Sequence, residues 1–329
     1  MTNPSPSIDM RAPTREGVLR AAEKIAALLP QTPLLPLEIP GGETVWCKAE
    51  SLQPVGAFKI RGAWHRQTDL SEDERARGVV AVSSGNHAQG VAWAARRLGI
   101  AAKIVMPIDA PAVKLDATRA LGAGVVLYDR PGGEDRDALA ARLTAESGAT
   151  LVHAYGDPWV IEGQGSSGVE LAAQMERLAG GQPTRVVTPC GGGGLTSGLA
   201  LALPDTEIVP VEPEGWDDVT RSLASGTIER VGPGAPATAC DALQTPATFP
   251  INFAVMTSRG LRGMSVSESE VRAAQRYAFT KLRLVVEPGG AAALAAVLAG
   301  KAAADGRTAI ILSGGNVDPA TFAAVISGA

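Results

Sequence analysis

From Gly78 onward the chain switches repeatedly between short apolar runs and longer amphipathic ones, with a turn at each switch. Residues 79–82, 103–106, 125–128 and 150–153 read as strands. Residues 88–98, 111–121 and 134–146 read as helices, the first two closed by Gly99 and Gly122. Few folds satisfy this order. Parallel strands need a crossover, usually an amphipathic helix, so the alternation predicts a parallel sheet with helices on both faces. A second series follows, with helices at 166–178, 195–203, 268–282 and 291–301 and strands at 185–188, 207–211 and 308–312. Ahead of both, Val18, Ala22, Ile25 and Leu29 make a helical stripe over 14–29 that Pro30 ends. Residues 44–48 alternate as a short strand. Residues 226–250, rich in Gly, Pro, Ala and Thr, form one long irregular stretch, of a kind more often functional than idle. The expected fold class is α/β: two domains with parallel-rich twisted sheets flanked by helices. A ligand then belongs in the interdomain cleft, at the carboxyl ends of strands.

The net charge of −4 and pI near 5.6 leave no basic surface for nucleic acid or an anionic membrane. An anionic ligand must therefore be held by local dipoles and a few donors. Cys47, Cys190 and Cys240 are odd in number and far apart, so neither a disulfide framework nor a zinc knuckle is indicated. No apolar run has the length of a membrane span, and the first fifteen residues lack the apolar core of a signal peptide. The cytoplasm is the expected location.

Chemistry is concentrated in a few segments. In Ser51-Leu-Gln-Pro-Val-Gly-Ala-Phe-Lys-Ile-Arg-Gly-Ala63, Lys59 lies between Phe58 and Ile60. An amine drawn toward an apolar pocket loses solvation of its charged form and becomes a nucleophile for an aldehyde. A snorkelling lysine on a helix that starts after Gly56 would have the same neighbours. Ser83-Ser84-Gly85-Asn86-His87 joins a strand to a helix, where successive N–H groups form a nest for an anion or a plain capping turn. Cys190-Gly191-Gly192-Gly193-Gly194-Leu195 occupies the same kind of junction, and four residues without Cβ atoms let backbone wrap a phosphate. It lacks the Gly-Lys-Ser/Thr of a nucleotide loop. A dinucleotide site is the rival, with Glu212 toward a ribose, although Ser197 stands at the third glycine position. Glu212-Pro-Glu-Gly-Trp216-Asp-Asp218 is either a solvated acidic turn or a set of hard oxygen ligands. Glu287-Pro-Gly-Gly290 and Ser313-Gly-Gly-Asn-Val-Asp318 complete the set.

Together these segments resemble the pyridoxal-phosphate (PLP) enzymes of the tryptophan-synthase-β fold type, fold type II, over nearly the whole chain. The likeness is greatest to the serine/threonine dehydratase and serine racemase branch. It implies pyridoxal 5'-phosphate as cofactor, bound covalently to Lys59, which also serves as base at the substrate α-carbon. It implies cofactor contacts from Phe58, from Asn86 at the 3′-oxygen, from Glu287 near the ring and from Ser313 at the pyridine nitrogen. Gly191, Gly192, Gly193, Gly194 and Leu195 would hold the phosphate. Ser83, Ser84, Gly85, Asn86 and His87 would hold the carboxylate of a small amino-acid substrate, with Ser84 as the racemase proton carrier opposite the lysine. His87 is equally readable as a structural partner.

The resemblance also implies Mg²⁺, Ca²⁺ or Mn²⁺ at Glu212, Asp218 and the Trp216 carbonyl. It places a large domain at 1–78 and 157–329 and a small one at 79–156. The expected activity is an ammonia-lyase converting a serine- or threonine-like β-hydroxy-α-amino acid to a 2-oxo acid and ammonia. A homodimer is the expected assembly. Serine racemase, hydroxyaspartate dehydratase and β-arylserine dehydratase are the alternatives, and an NAD-dependent oxidoreductase is more remote. Ala57, Gly289 and Ala154-Tyr155-Gly156 depart from the usual pattern, and no basic residue in these loops points clearly to a second substrate carboxylate. A regulatory domain with feedback by isoleucine is not expected.

Overall fold

Thr14 accepts the N–H of Gly17 and opens α1 (Arg15–Ala26). β1 (Leu34–Glu38) and β2 (Thr44–Lys48) pair antiparallel. α2 (Lys59–Thr68) begins at Lys59 itself, and a Ser71–Glu74 capping box starts α3 (Glu72–Arg77). The predicted alternation follows as β3 (Val79–Val82), α4 (Asn86–Leu98), β4 (Ala102–Pro107), α5 (Ala112–Ala120), β5 (Gly124–Tyr128), α6 (Arg136–Ser147) and β6 (Thr150–Leu151). The second series runs α7 (Pro158–Ala179), β7 (Arg185–Pro189), α8 (Gly194–Ala202), β8 (Glu207–Pro213), α9 (Asp218–Ser225) and α10 (Pro250–Ser258). It ends with β9 (Met264–Val266), α11 (Glu268–Leu282), α12 (Pro288–Leu298), β10 (Thr308–Ile311) and α13 (Pro319–Ser327). These elements come from a computed structural model, which describes residues 11–110 and 112–328. The first ten residues, part of the stretch read as leader-free, and Pro111, the expected start of α5, lie outside the described residues.

Two sheets result. One has the order β5-β4-β3-β6, parallel throughout; the other has the order β1-β2-β10-β7-β8-β9, parallel except for β1 against β2. In the larger sheet β10, for example, is buried along its whole length, as a strand covered on both faces must be. The core on one side joins it to α11 and α12 and on the other to α7 and α8. Cys47, Cys190 and Cys240 are free thiols within this larger body, each at most 1% exposed. Among the described residues no helix is long and apolar enough to cross a membrane.

α7 starts eight residues before its expected first turn. Asp157 accepts the N–H groups of Trp159 and Val160, and Pro158 fills the first helical position. Gly163, Gly165 and Gly168 lower the helical signal there, and their lack of Cβ is what the packing needs. A Cβ on Gly163 would lie 2.5 Å from the Gly62 Cα on α2, and one on Gly165 would lie 2.6 Å from the Gly198 carbonyl on α8.

A buried polar knot fixes α2 to this frame. Arg61 uses all five N–H groups, bonding both oxygens of Glu50, both of Glu170 and the Ser166 hydroxyl. Lys48 spends its three donors on Glu170, Gln174 and the Thr32 carbonyl. Two cations against two carboxylates leave the knot neutral, and its saturation offsets the cost of burying charge. Arg61 stands two residues after Lys59, so the helix that carries the amine has little freedom.

Candidate active site

The loops after β3, β6, β7 and β10 open at the carboxyl ends of their strands and meet in one cavity between the two sheets. Phe58, Lys59, Ser83–His87, Gly191–Gly194, Leu195, Glu287 and Ser313 all line it. Glu212, Trp216 and Asp218 do not line it.

Lys59 is the first residue of α2, and its Nζ donates to the Ala154 carbonyl at 2.9 Å. Burial pushes the amine down to about 8, with the charge of Glu287 acting against the fall. Its position is fixed from below by the polar knot and from above by the loop after β10, where Phe58 N–H donates to the Ser313 carbonyl at 3.1 Å.

Ser83–His87 turns from β3 into α4, with the Gly85 N–H on Ser83 Oγ at 3.1 Å. The loop leads into the N-terminus of α4, the positive end of its dipole. His87 bonds the Val152 carbonyl through Nε2 at 2.8 Å, and burial followed by the charge of Lys59 holds it down to about 3. It stays neutral at working pH and ties the loop to the end of β6.

The glycine loop turns from β7 into α8. Gly193 has φ +89°, left-handed backbone. A Cβ on Gly192 would lie 2.3 Å from the Tyr155 ring, and one on Gly191 would lie 2.9 Å from Thr245 Oγ1. The Gly192 carbonyl accepts from Asn252 at 2.8 Å and Thr248 at 3.1 Å, which fixes the loop. Asn252 and Thr248 come from α10 and the irregular stretch, and nothing in their local sequence announces them.

Glu287 stands at the N-cap position of α12, and its side chain, making no cap bond, accepts the Asn86 amide at 2.6 Å. Burial first, and then the charge of Asp241, lift its carboxyl to about 8. Behind the glycine loop lie two further acids, close enough to help hold the Cys190 thiol well above its ordinary value after burial itself. Glu212 accepts from Val219 N–H, Thr220 N–H and Thr220 Oγ1, and burial still raises it to about 8. Asp218 is buried, and neither oxygen closes a well-formed hydrogen bond among the described residues. Burial raises its carboxyl to about 7, outweighing the N–H groups of Thr248 and Asp218 itself, which act to lower it. No group of three or more His, Cys, Asp or Glu side chains converges on a metal position among the described residues.

Three further groups line the cavity: the segment of Tyr155 stood out in the sequence only as a departure from the usual pattern, and Lys114 and Arg136 did not stand out at all. Tyr155 covers the glycine loop, in T-shaped contact with His153 and Phe249. Lys114 on α5 reaches the same wall and pairs with Asp241. Arg136 opens α6, where the helix dipole disfavours a cation, and its nearest carboxylate is Asp137 at 3.9 Å. A cation at a helix start is too common in sequences to single out; only the fold turns this one toward the cavity.

Residues 25–314 match the family described as pyridoxal-phosphate dependent enzyme. The chain is 39% identical to the L-threo-3-hydroxyaspartate ammonia-lyase of Saccharomyces cerevisiae, covering 97% of this chain and 98% of that one. It is 36% identical to the serine racemase of Schizosaccharomyces pombe, over 96% and 98%. The structure superposes on a T.th. threonine deaminase with a TM-score of 0.84 at 42% identity, covering 93% of this chain and 99% of that one.

Proposed function

The chain belongs to the pyridoxal-phosphate dependent enzymes of fold type II, and from that premise we propose that it is an ammonia-lyase, a dehydratase of β-hydroxy-α-amino acids. Loss of the α-proton and the β-hydroxyl as water leaves an enamine, which tautomerises to an imine, and water hydrolyses that imine to a 2-oxo acid and ammonia. The observation that carries this reading is the meeting, in one cavity, of an amine lowered by burial, a glycine cradle and the Ser313 hydroxyl.

The residues fit PLP. The cradle excludes Cβ atoms, and Lys59 is positioned for covalent attachment. When bound, PLP supplies a carbon for amine linkage and a ring that draws electrons from the α-carbon. The N–H groups of Gly191–Gly194 and the start of α8 hold a phosphate dianion, with Leu195 beside them. Phe58 lies beside Lys59, and Asn86 and Glu287 would contact the ring. Ser313 offers the ring nitrogen a hydroxyl, which does not hold a proton there as a carboxylate would. Expulsion of the β-hydroxyl is then favoured over long storage of charge at the α-carbon. Ser83, Ser84 and Gly85 take the substrate carboxylate. Lys59 Nζ, its proton affinity lowered by burial, removes the α-proton. Ser84 lines the same cavity and is assigned the minor role of proton carrier to the other face.

The buried carboxylate of Asp218, without a well-formed hydrogen bond among the described residues and beside Glu212, fits a hard divalent cation, Mg²⁺, Ca²⁺ or Mn²⁺, with the Trp216 carbonyl as third ligand. That ion would brace the glycine loop from behind and take no part in bond breaking. We divide the chain into a small domain at 79–156 and a large one made by the rest, and assign it as a cytoplasmic homodimer on family resemblance.

Within the class, Arg136 favours a substrate with a second carboxylate, hydroxyaspartate over serine or threonine. It is a cation on the cavity wall whose ion-pair contact among the described residues is the 3.9 Å one to Asp137, and Tyr155 and Lys114 add donors around it. Comparing kcat/KM for L-threo-3-hydroxyaspartate, L-serine and L-threonine tests this. Arg136→Ala should lower the hydroxyaspartate value about a hundredfold and leave L-serine within about threefold. Equal losses on both substrates would refute the carboxylate role.

A further inference from the structure

A short chain of carboxamides connects the ring edge of the cavity to the turn ahead of Lys59. Asn316 Nδ2 donates to the Val55 carbonyl at 2.7 Å and to Asn86 Oδ1 at 2.9 Å. Asn86 Nδ2 donates in turn to Glu287 Oε1 at 2.6 Å. The direction of every amide in this chain is forced from one end. A backbone carbonyl only accepts, so the Asn316 atom facing Val55 is its nitrogen. The second N–H of that nitrogen needs an acceptor, so Asn86 presents its oxygen there. Asn86 must then turn its own nitrogen toward Glu287 and the cavity, and one of its two N–H groups is uncommitted among the described residues.

The Val55 end is strained. Val55 has φ +60° and ψ 14°, left-handed backbone that a β-branched residue rarely adopts. Gly56 follows at φ +73°, and a Cβ there would lie 2.3 Å from Asn316 Oδ1. Gly56 O also accepts the Gly315 N–H at 2.9 Å. The turn therefore keeps its shape against Asn316, with Val55 three residues before Phe58 and four before Lys59. At the other end Gly314 has no room for a Cβ, which would lie 2.1 Å from Glu287 Oε1.

We propose that Asn316 is a positioning residue of the reaction: it fixes Asn86 with an N–H toward the cofactor's ring oxygen and clamps the strained turn that presents Lys59. It touches neither substrate nor cofactor and acts through these two neighbours. The inference rests on the reading of this cavity as a PLP site.

The test compares wild type, Asn316→Asp and Asn316→Ala, each also in an Asn86→Ala background. Asn316→Asp keeps the packing on Gly56 and loses both donors, so it serves if the alanine variant fails to fold. Three readouts apply: the pH midpoint of the lysine-linked cofactor's visible band, the kcat and KM of dehydration, and hydrogen exchange over 53–59 in cofactor-free protein. Loss of Asn316 should move the midpoint by about one pH unit and speed exchange of the turn about tenfold. It should lower kcat about thirtyfold with KM changed less than about threefold. In the Asn86→Ala background the kcat loss from Asn316→Ala should shrink to the part contributed by the Val55 clamp, since the path through Asn86 is already cut. An unmoved band, or a kcat loss of equal size in both backgrounds, overturns the relay and leaves the PLP reading intact. Wild type without a borohydride-reducible band on Lys59 overturns both.

Discussion

Lys59 shows at the scale of one residue how function works against stability. Its amine falls from an ordinary 10.5 to about 8 because burial disfavours the charged form. Between those two values the folded chain holds fewer protons than the unfolded one, so stability rises with pH across that window; below about 8 both forms are charged and the full cost is felt. Lys59→Met should therefore stabilise the cofactor-free protein by about 3 kcal/mol at neutral pH. The gain should shrink toward zero as pH approaches the ordinary lysine value. Thermal melts of both proteins across that range check it, and a gain that does not depend on pH would show that shape, not charge, is responsible. The same substitution should remove turnover by several orders of magnitude. Lys59 was legible because its neighbours form a long, specific segment. Arg136 was not, since nothing local distinguishes it from any other arginine at a helix start.

At the scale of elements, the readable features were those whose chemistry demands a backbone shape. The glycine loop and the Ser83–His87 turn needed small residues at a strand–helix junction, and that need is written in the sequence. The start of α7 was hidden because three glycines, required by contact with α2 and α8, look like helix weakness. β1, β9 and α10 were not legible because each is short or takes its stability from neighbours. The loop between β8 and α9 carries the next prediction. Asp218 stands at the start of α9 with a buried carboxylate that closes no well-formed hydrogen bond among the described residues. Ca²⁺ or Mg²⁺ should raise the melting temperature of wild type, and a chelator should lower it, by linkage to the folded state. Asp218→Asn should abolish the response and, without metal, melt no lower than chelated wild type, because it removes a costly buried charge. A wild-type melt indifferent to both treatments would make the acidic pair a purely structural feature.

For the whole molecule, the alternation of strands and helices was enough to give two parallel-rich sheets and the cleft between them. Residue pairings across that cleft were not, because Asn86, Glu287, Asn316 and Val55 are joined over separations of up to 261 residues. The distribution of sulfur has a different consequence. All three thiols lie in the larger body and none between β3 and β6, so a thiol reagent reads the opening of that body alone. Cys47 lies in β2, Cys190 borders the glycine loop and Cys240 sits in the irregular stretch beside the cavity. They are three clocks in three kinds of terrain. Native protein should react slowly with a disulfide reagent, at rates set by how often each locality opens. Bound cofactor should slow Cys190 and Cys240 more than Cys47, and mass spectrometry of the labelled sites would read each separately. If all three slow by the same factor, the larger body opens only as a single unit.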